Sequence, residues 1–172
     1  MRKTALILAL LAILSAAQAR FFLGFPLSGI YASDALGAVA GVHFGTYNLY
    51  DDFGIRATAE AGRTLSLTPG LIVEGGVDGL YSFGEGVVFY TGAGVGYVGA
   101  GGAGSPFVSA FVGLDFDASS VISIFLEINP RYTFSNAGLI HVRSGINFHI
   151  GDPNDNPVTE PDMGMPWLEP VG

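Results

Sequence analysis

Residues 122–134 read Ile122-Ser-Ile-Phe-Leu-Glu-Ile-Asn-Pro-Arg-Tyr-Thr-Phe134, and their alternation decides the fold class. Ile122, Ile124, Leu126, Ile128, Tyr132 and Phe134 fall on one side of an extended chain, while Ser123, Glu127, Asn129, Arg131 and Thr133 fall on the other. A period of two sustained over this length belongs to a β-strand whose faces meet different surroundings. No segment after residue 19 holds 18 consecutive apolar residues, so the mean hydropathy of +0.47 is spread over alternate positions rather than gathered into helical spans.

The same alternation, working outward, predicts strands near 21–31, 36–50, 54–66, 71–82, 86–98, 107–117, 122–134 and 139–150. Between them stand Ser33-Asp34, Asp51-Asp52, Thr68-Pro69-Gly70, Gly84-Glu85-Gly86, Gly99 to Pro106, Asp117 to Ser120 and Asn136-Ala137-Gly138, all residues of turn chemistry. Connections this short favour antiparallel neighbours.

The N-terminus is set apart. Arg2 and Lys3, the apolar run Ala5 to Leu14 and Ala17-Gln18-Ala19 form a basic region, an apolar region and a small-residue cleavage site, so residues 1–19 read as a secretion signal and the mature chain is expected to begin at Arg20. The remaining 153 residues suit one domain and carry five Arg, no Lys and 15 acids, a formal charge of −10. With no basic patch to displace counterions, no nucleic-acid partner is expected. Cysteine is absent, which excludes disulfides and thiolate metal sites.

Strands of about 10 residues, at roughly 3.3 Å each and tilted by about 45°, rise about 23 Å, close to the apolar band of a membrane barrel. Alternation alone does not say which face is inside, since a soluble ligand-binding barrel alternates too. The content of the polar face decides. It offers Gly41, His43, Gly45, Arg56, Glu60, Glu74, Gly76, Asp78, Gly92, Gly94, Gly96, Ser109, Gly113, Asp115, Glu127, Arg131 and Arg143, small residues with a few charges that fit a narrow lumen better than a lysine-rich wet surface. The other face offers Val42, Phe44, Ile55, Val73, Val77, Phe89, Val95, Val112, Val142, Ile146 and Phe148, which suits lipid, and Tyr50, Phe53, Tyr81, Phe83, Tyr97, Phe116, Tyr132 and Phe134 near strand ends suit interfacial girdles.

With the signal, eight alternating segments, the Gly-rich Tyr90-Thr-Gly-Ala-Gly-Val-Gly-Tyr97, the segment Phe125 to Phe134 and the final Ser144-Gly-Ile-Asn-Phe-His-Ile150, the chain resembles the small outer-membrane β-barrel family typified by the OmpA transmembrane domain. The resemblance covers about residues 21–150. It implies an all-β, eight-stranded antiparallel up-and-down transmembrane barrel over 20–150 with both termini in the periplasm, located in the cell outer membrane. It implies as partners the outer-membrane lipids, a lipopolysaccharide-like glycolipid and the outer-membrane assembly machinery. The family's members differ in function.

Several residues depart from a regular barrel. Arg63 falls on the lipid phase and is expected near the outer rim, where a charge costs about 0–1 kcal/mol. Pro26 and Pro130 donate no ladder hydrogen bond, so a bulge or local opening is expected at each. After Phe148 the chain continues for 24 residues, and Gly151–Gly172 holds five prolines, five acids and no basic residue, a composition expected to be an extended tail. Trp167 within it leaves open a docking segment for a periplasmic partner.

Chemistry is sparse. No Gly-Lys-Ser/Thr follows the glycines of 92–99, so there is no phosphate loop, and Asp152-Pro-Asn-Asp155 lacks the ligand spacing of a calcium loop. No cofactor or metal is expected. His43, His141 and His149 take the lumen phase, whereas Ser144 takes the opposite face from His141, which counts against a Ser-His-acid site. The expectation is a non-enzymatic barrel with a structural or membrane-organising role. Its lumen is expected to be plugged by a charge network of Arg56, Glu60, Glu74, Asp78, Asp115, Glu127, Arg131 and Arg143, with Glu60 diagonal to Glu74 and Asp78, and with Arg131 and Arg143 approaching Glu127. A narrow pore, a lipid-modifying enzyme and a soluble ligand-binding barrel are the alternatives.

Overall fold

Eight runs of alternating residues form eight strands, and the last pairs with the first. The computed structural model describes residues 21–32, 35–65, 69–84, 86–100, 102–135 and 138–150; the expected signal (1–19), Arg20 and the expected acidic tail (151–172) lie outside them. The strands are β1 (Phe21–Ala32), β2 (Ala35–Tyr50), β3 (Phe53–Thr64), β4 (Leu71–Phe83), β5 (Val87–Ala100), β6 (Ala103–Asp117), β7 (Ile122–Thr133) and β8 (Gly138–Ile150). Each is antiparallel to its sequence neighbours, and β1 closes on β8 from Phe21↔Ile150 to Ala32↔Leu139, so the sheet is a barrel with no free edge. Among the described residues no helix is long and apolar enough to cross a membrane.

The closed antiparallel up-and-down barrel matches the sequence expectation, and its ends differ from that expectation in instructive ways. Composition places a loop at Gly99 to Pro106, but β5 runs to Ala100 and β6 starts at Ala103, with Gly99↔Gly104 and Tyr97↔Pro106 in register. Gly, Ser and Pro there resemble a turn in composition, yet from Ala103 on the backbone is carried by pairing with β5. Pro130 and Pro26 open the ladder locally without shifting it. Partners are missing between Ser109↔Arg131 and Val112↔Ile128, and between Gly24↔His43 and Leu27↔Ala40, while the register on either side is unchanged. The register shift in the barrel falls instead in β2, between Thr46 and Tyr50.

The exterior is apolar all round: Leu27, Val42, Phe44, Ile55, Val73, Val77, Val95, Val112, Ile124, Leu126, Ile128 and Val142 are all exposed. All eight girdle aromatics are exposed too, and at the end that carries the termini Phe53 packs on Tyr81 with ring centroids 5.1 Å apart and Phe83 stacks on Phe89 at 5.6 Å. Arg63 is exposed on this outer surface, next to the last residue of β3, at the opposite end. So large an apolar surface is tolerable only against lipid.

The interior has three layers. Phe22, Leu80, Tyr90 and Phe111 with Tyr47 fill the end near the termini, Ile30, Val39 and Ile72 with Val98 line the far end, and the charged residues lie between. Val112 sits mid-strand on β6 and is 58% exposed, so Val112→Arg is expected to impair assembly by about 2–4 kcal/mol. Heat-modifiable electrophoretic migration reads the folded fraction, and a variant that assembles normally would contradict the outward facing of β6.

Candidate functional site

The charged layer is built from inward positions of four strands. β3 supplies Arg56 and Glu60, β4 supplies Glu74 and Asp78, β7 supplies Glu127, Asn129 and Arg131, and β8 supplies His141 and Arg143. In an eight-stranded ring β3 and β7 stand opposite each other, as do β4 and β8, so any contact between those pairs crosses the lumen.

Such contacts are present and short. Arg56 Nη1 donates to Glu127 Oε2 at 2.6 Å, from β3 to β7, while Arg56 Nε and Nη2 both reach Asp78 Oδ2, at 2.9 and 2.8 Å. Arg143 Nη2 donates to Glu60 Oε2 at 2.8 Å and its Nη1 to Glu127 Oε1 at 3.1 Å. Glu127 is thus held by two guanidiniums, one from each side. Asn129 Nδ2 adds a 3.1 Å bond to the same Oε1. Arg131 Nη1 lies 2.8 Å from Glu74 Oε2, and Ser28 Oγ donates to Glu60 Oε1 at 2.9 Å. These are charge-assisted bonds away from water, where their electrostatic worth is greatest.

Two details of the sequence expectation need correction. Glu60 is not diagonal to Glu74 but directly opposite it, and Asp78 is directly opposite Arg56, because the β3–β4 connection sets the register Glu60↔Glu74. Arg131 shares β7 with Glu127 and, two pleats further toward the far end, turns across to Glu74 rather than to Glu127. Asp115 faces the lumen as expected but lies nearer the termini, opposite Phe125. Its Oδ2 accepts from Tyr47 Oη at 2.6 Å and from Asn147 Nδ2 at 2.8 Å, with no arginine in its ion-pair range among the described residues. The Tyr47–Asp115 bond joins β2 to β6, again opposite walls.

Room for these large groups comes from β5. A Cβ on Gly94 would run into Asp78 Oδ1, and one on Gly92 or Gly96 would run into the Phe111 or Phe107 ring, so the glycines are the space that Asp78 and the two phenylalanines occupy. Those rings in turn carry the arginines. Arg56 lies 4.8 Å from the Phe111 centroid and Arg131 4.5 Å from that of Phe107. Sequence reasoning misses the inward aromatics Phe22, Tyr90, Phe107, Phe111 and Phe125, although each shares its strand phase with a polar residue or a glycine and can be found from phase alone.

All three histidines are buried on the lumen side. His43 Nε2 donates to Asn147 Oδ1 at 2.7 Å, and His141 Nδ1 lies 3.6 Å from Glu74 Oε1. His149 Nε2 is 2.8 Å from Ser123 Oγ, but Asp117 Oδ1 approaches the same nitrogen at 3.9 Å. A nucleophilic triad needs the acid on the other ring nitrogen and an accessible serine; Ser123 is fully buried. Ser144 faces outward, away from His141, as its phase implies. Glu60, Glu74 and His141 bring potential metal-ligand atoms within 4.8 Å of one another, yet Arg143 and Arg131 already hold those carboxylates and any metal would have to displace them.

Four carboxylates (Glu60, Glu74, Asp78, Glu127) face three guanidiniums, and the formal excess falls on the opposed Glu60–Glu74 pair. A gap among Thr58, Glu74, Asp78, Phe107, Arg131 and Arg143 measures about 10 Å³, at the lower limit for one water.

No family model matches the chain, and no curated protein matches it. Among solved structures, it is similar to Neisserial surface protein A (14% identity, TM-score 0.62, covering 76% of this chain and 96% of that one). It is also similar to the N-terminal β-barrel domain of Pseudomonas aeruginosa OprF (17%, TM-score 0.57, 77% and 100%) and to a major outer membrane protein from Thermus thermophilus (12%, TM-score 0.52, 74% and 99%). The fold is that of the small outer-membrane barrels.

The ion pairs differ in how much they leave uncompensated when cut. Glu127→Gln takes away the carboxylate that Arg56 and Arg143 share, leaving Asp78 and Glu60 as their ion-pair partners, and is expected to cost about 2–3 kcal/mol. Glu74→Gln takes from Arg131 its 2.8 Å carboxylate, a loss offset by relief of the opposition to Glu60, and should cost less, while Arg63→Ala on the outer surface should stay within about 0.5 kcal/mol. Reversible unfolding of the three variants in one detergent gives the order, and equal shifts would contradict the network described.

Proposed function

We propose that the protein is a non-enzymatic integral barrel of the bacterial outer membrane with a structural or membrane-organising role, its lumen closed by the ion-pair layer. The observation that carries this reading is the set of direct bonds between opposite walls, Arg56–Glu127 above all. Side chains joined across the full width of a narrow barrel, with a gap of about 10 Å³ beside them, leave no continuous water path for an ion.

The proposed location is supported by the apolar exterior, the girdle aromatics and a fold shared with barrels described as outer-membrane or surface proteins. In that setting the end carrying both termini faces the periplasm, the bilayer lipids and a lipopolysaccharide-like glycolipid contact the exterior, and the outer-membrane assembly machinery inserts the chain. The acidic tail would then lie on the periplasmic side, available to a partner there. The connections at the far end span two, six, two and four residues, too short to present a broad adhesive surface, which favours a structural role over surface display.

Planar-bilayer recording on the purified mature chain tests the closed lumen. No unitary steps are expected at moderate voltage, and reproducible steps would overturn the plug in favour of a narrow pore.

A further inference from the structure

The far end of the lumen does not follow the charged pattern of its middle. Beyond Arg131 and His141 the wall turns apolar and encloses a cup of about 310 Å³, lined chiefly by Ile30, Ile72, Val98 and Leu139, with Ser105 and Thr133 among the few polar side chains and no charged side chain among the described lining residues. Its apolar lining packs with buried Val39 and rests above the ion-pair layer, so it is a blind recess rather than a passage. A mostly apolar cavity with a few hydroxyls is the usual form of a small-molecule site.

We propose that this cup binds an uncharged alkyl chain, its polar end toward Ser105 and Thr133. The size fits: an apolar cavity of about 150 Å³ takes benzene, so about twice that volume takes roughly a dozen non-hydrogen atoms. The described lining offers an ionic ligand no charged partner for the hydration it would shed, which favours an uncharged one.

The bilayer is within reach of the cup. Ala100, Ala103 and Gly104 at the β5–β6 turn line both the cup and a groove on the outer face formed with Leu71, Val73 and Tyr97. This low rim of small residues separates two apolar spaces, one inside the barrel and one against lipid. An alkyl chain can therefore come from a free medium-chain molecule or from a membrane lipid bending over the rim, and the two sources share the same chemistry at the cup.

The test uses the mature chain in lipid nanodiscs with isotopically labelled Ile and Val methyl groups, and 1-decanol as the probe. Saturable decanol shifts at the Ile30, Ile72 and Val98 methyls, with intermolecular NOEs from protonated decanol in deuterated lipid, would establish the site with a free ligand. NOEs from those methyls to protonated lipid chains, with deuterated decanol present, would establish it with the bilayer as the source. Ile72→Asn, checked for folding by heat-modifiable migration, is expected to weaken decanol binding at least tenfold. If Ile30 and Ile72 show no alkyl NOEs in either arm, or shift linearly in step with lipid-facing Ile124 and Ile128, the cup is not a site. That result stands on the unmodified protein even if the variant fails to fold.

Discussion

A closed sheet of eight strands in an apolar medium leaves the lumen as the place for charge away from the rims, and there the buried charges hold one another, Arg56 reaching Glu127 across the barrel and Asp78 on the neighbouring strand. Backbone pairing is satisfied by closure, so the sheet imposes no demand on its side chains beyond alternation. The lumen imposes many. Arg56, Arg131 and Arg143 are buried among carboxylates because the outer face has no water to solvate them, and Glu127 takes its central position by meeting Arg56 from β3 and Arg143 from β8 together.

The remaining interior follows from that arrangement. Guanidiniums long enough to reach the opposite wall need space and a flat surface to lie on. The glycines of β5 provide the space, and Phe107 and Phe111, leaning over those glycines, provide the surface. Toward the termini the lumen is filled by aromatics, with Tyr47 stacked on Phe22 at 4.6 Å and bonded to Asp115. Toward the far end no side chain of comparable size projects inward among the described residues, and the cup is what remains.

How much of this is legible in the sequence depends on whether a feature is local. The facing of Ile122 to Phe134 needs only a period of two, and eight such segments with short connections leave little topological choice. The inward phase of Arg56, Glu60, Glu74, Asp78, Glu127, Arg131 and Arg143 can be read the same way. Their partners cannot, because partner choice depends on register and on which strands lie opposite after closure, neither of which is encoded within one strand. Sequence proximity therefore points Arg131 to Glu127, a neighbour on its own strand, when its reach across the lumen ends at Glu74. Pro130 and Pro26 signal an interruption correctly, while the start of β6 at Ala103 is hidden by Gly and Ser residues that a partner strand makes extended.

The central claim is that bonds across the lumen act as pairs rather than as separately buried charges. A double-mutant cycle on Arg56 and Glu127, using Arg56→Ala, Glu127→Ala and both together under reversible unfolding in one detergent, measures that directly. The account predicts a coupling of about 2–3 kcal/mol, the double variant being far less destabilised than the two single losses combined. Additivity within about 0.5 kcal/mol would contradict it and would mean that the lumen is wet enough to solvate each charge alone.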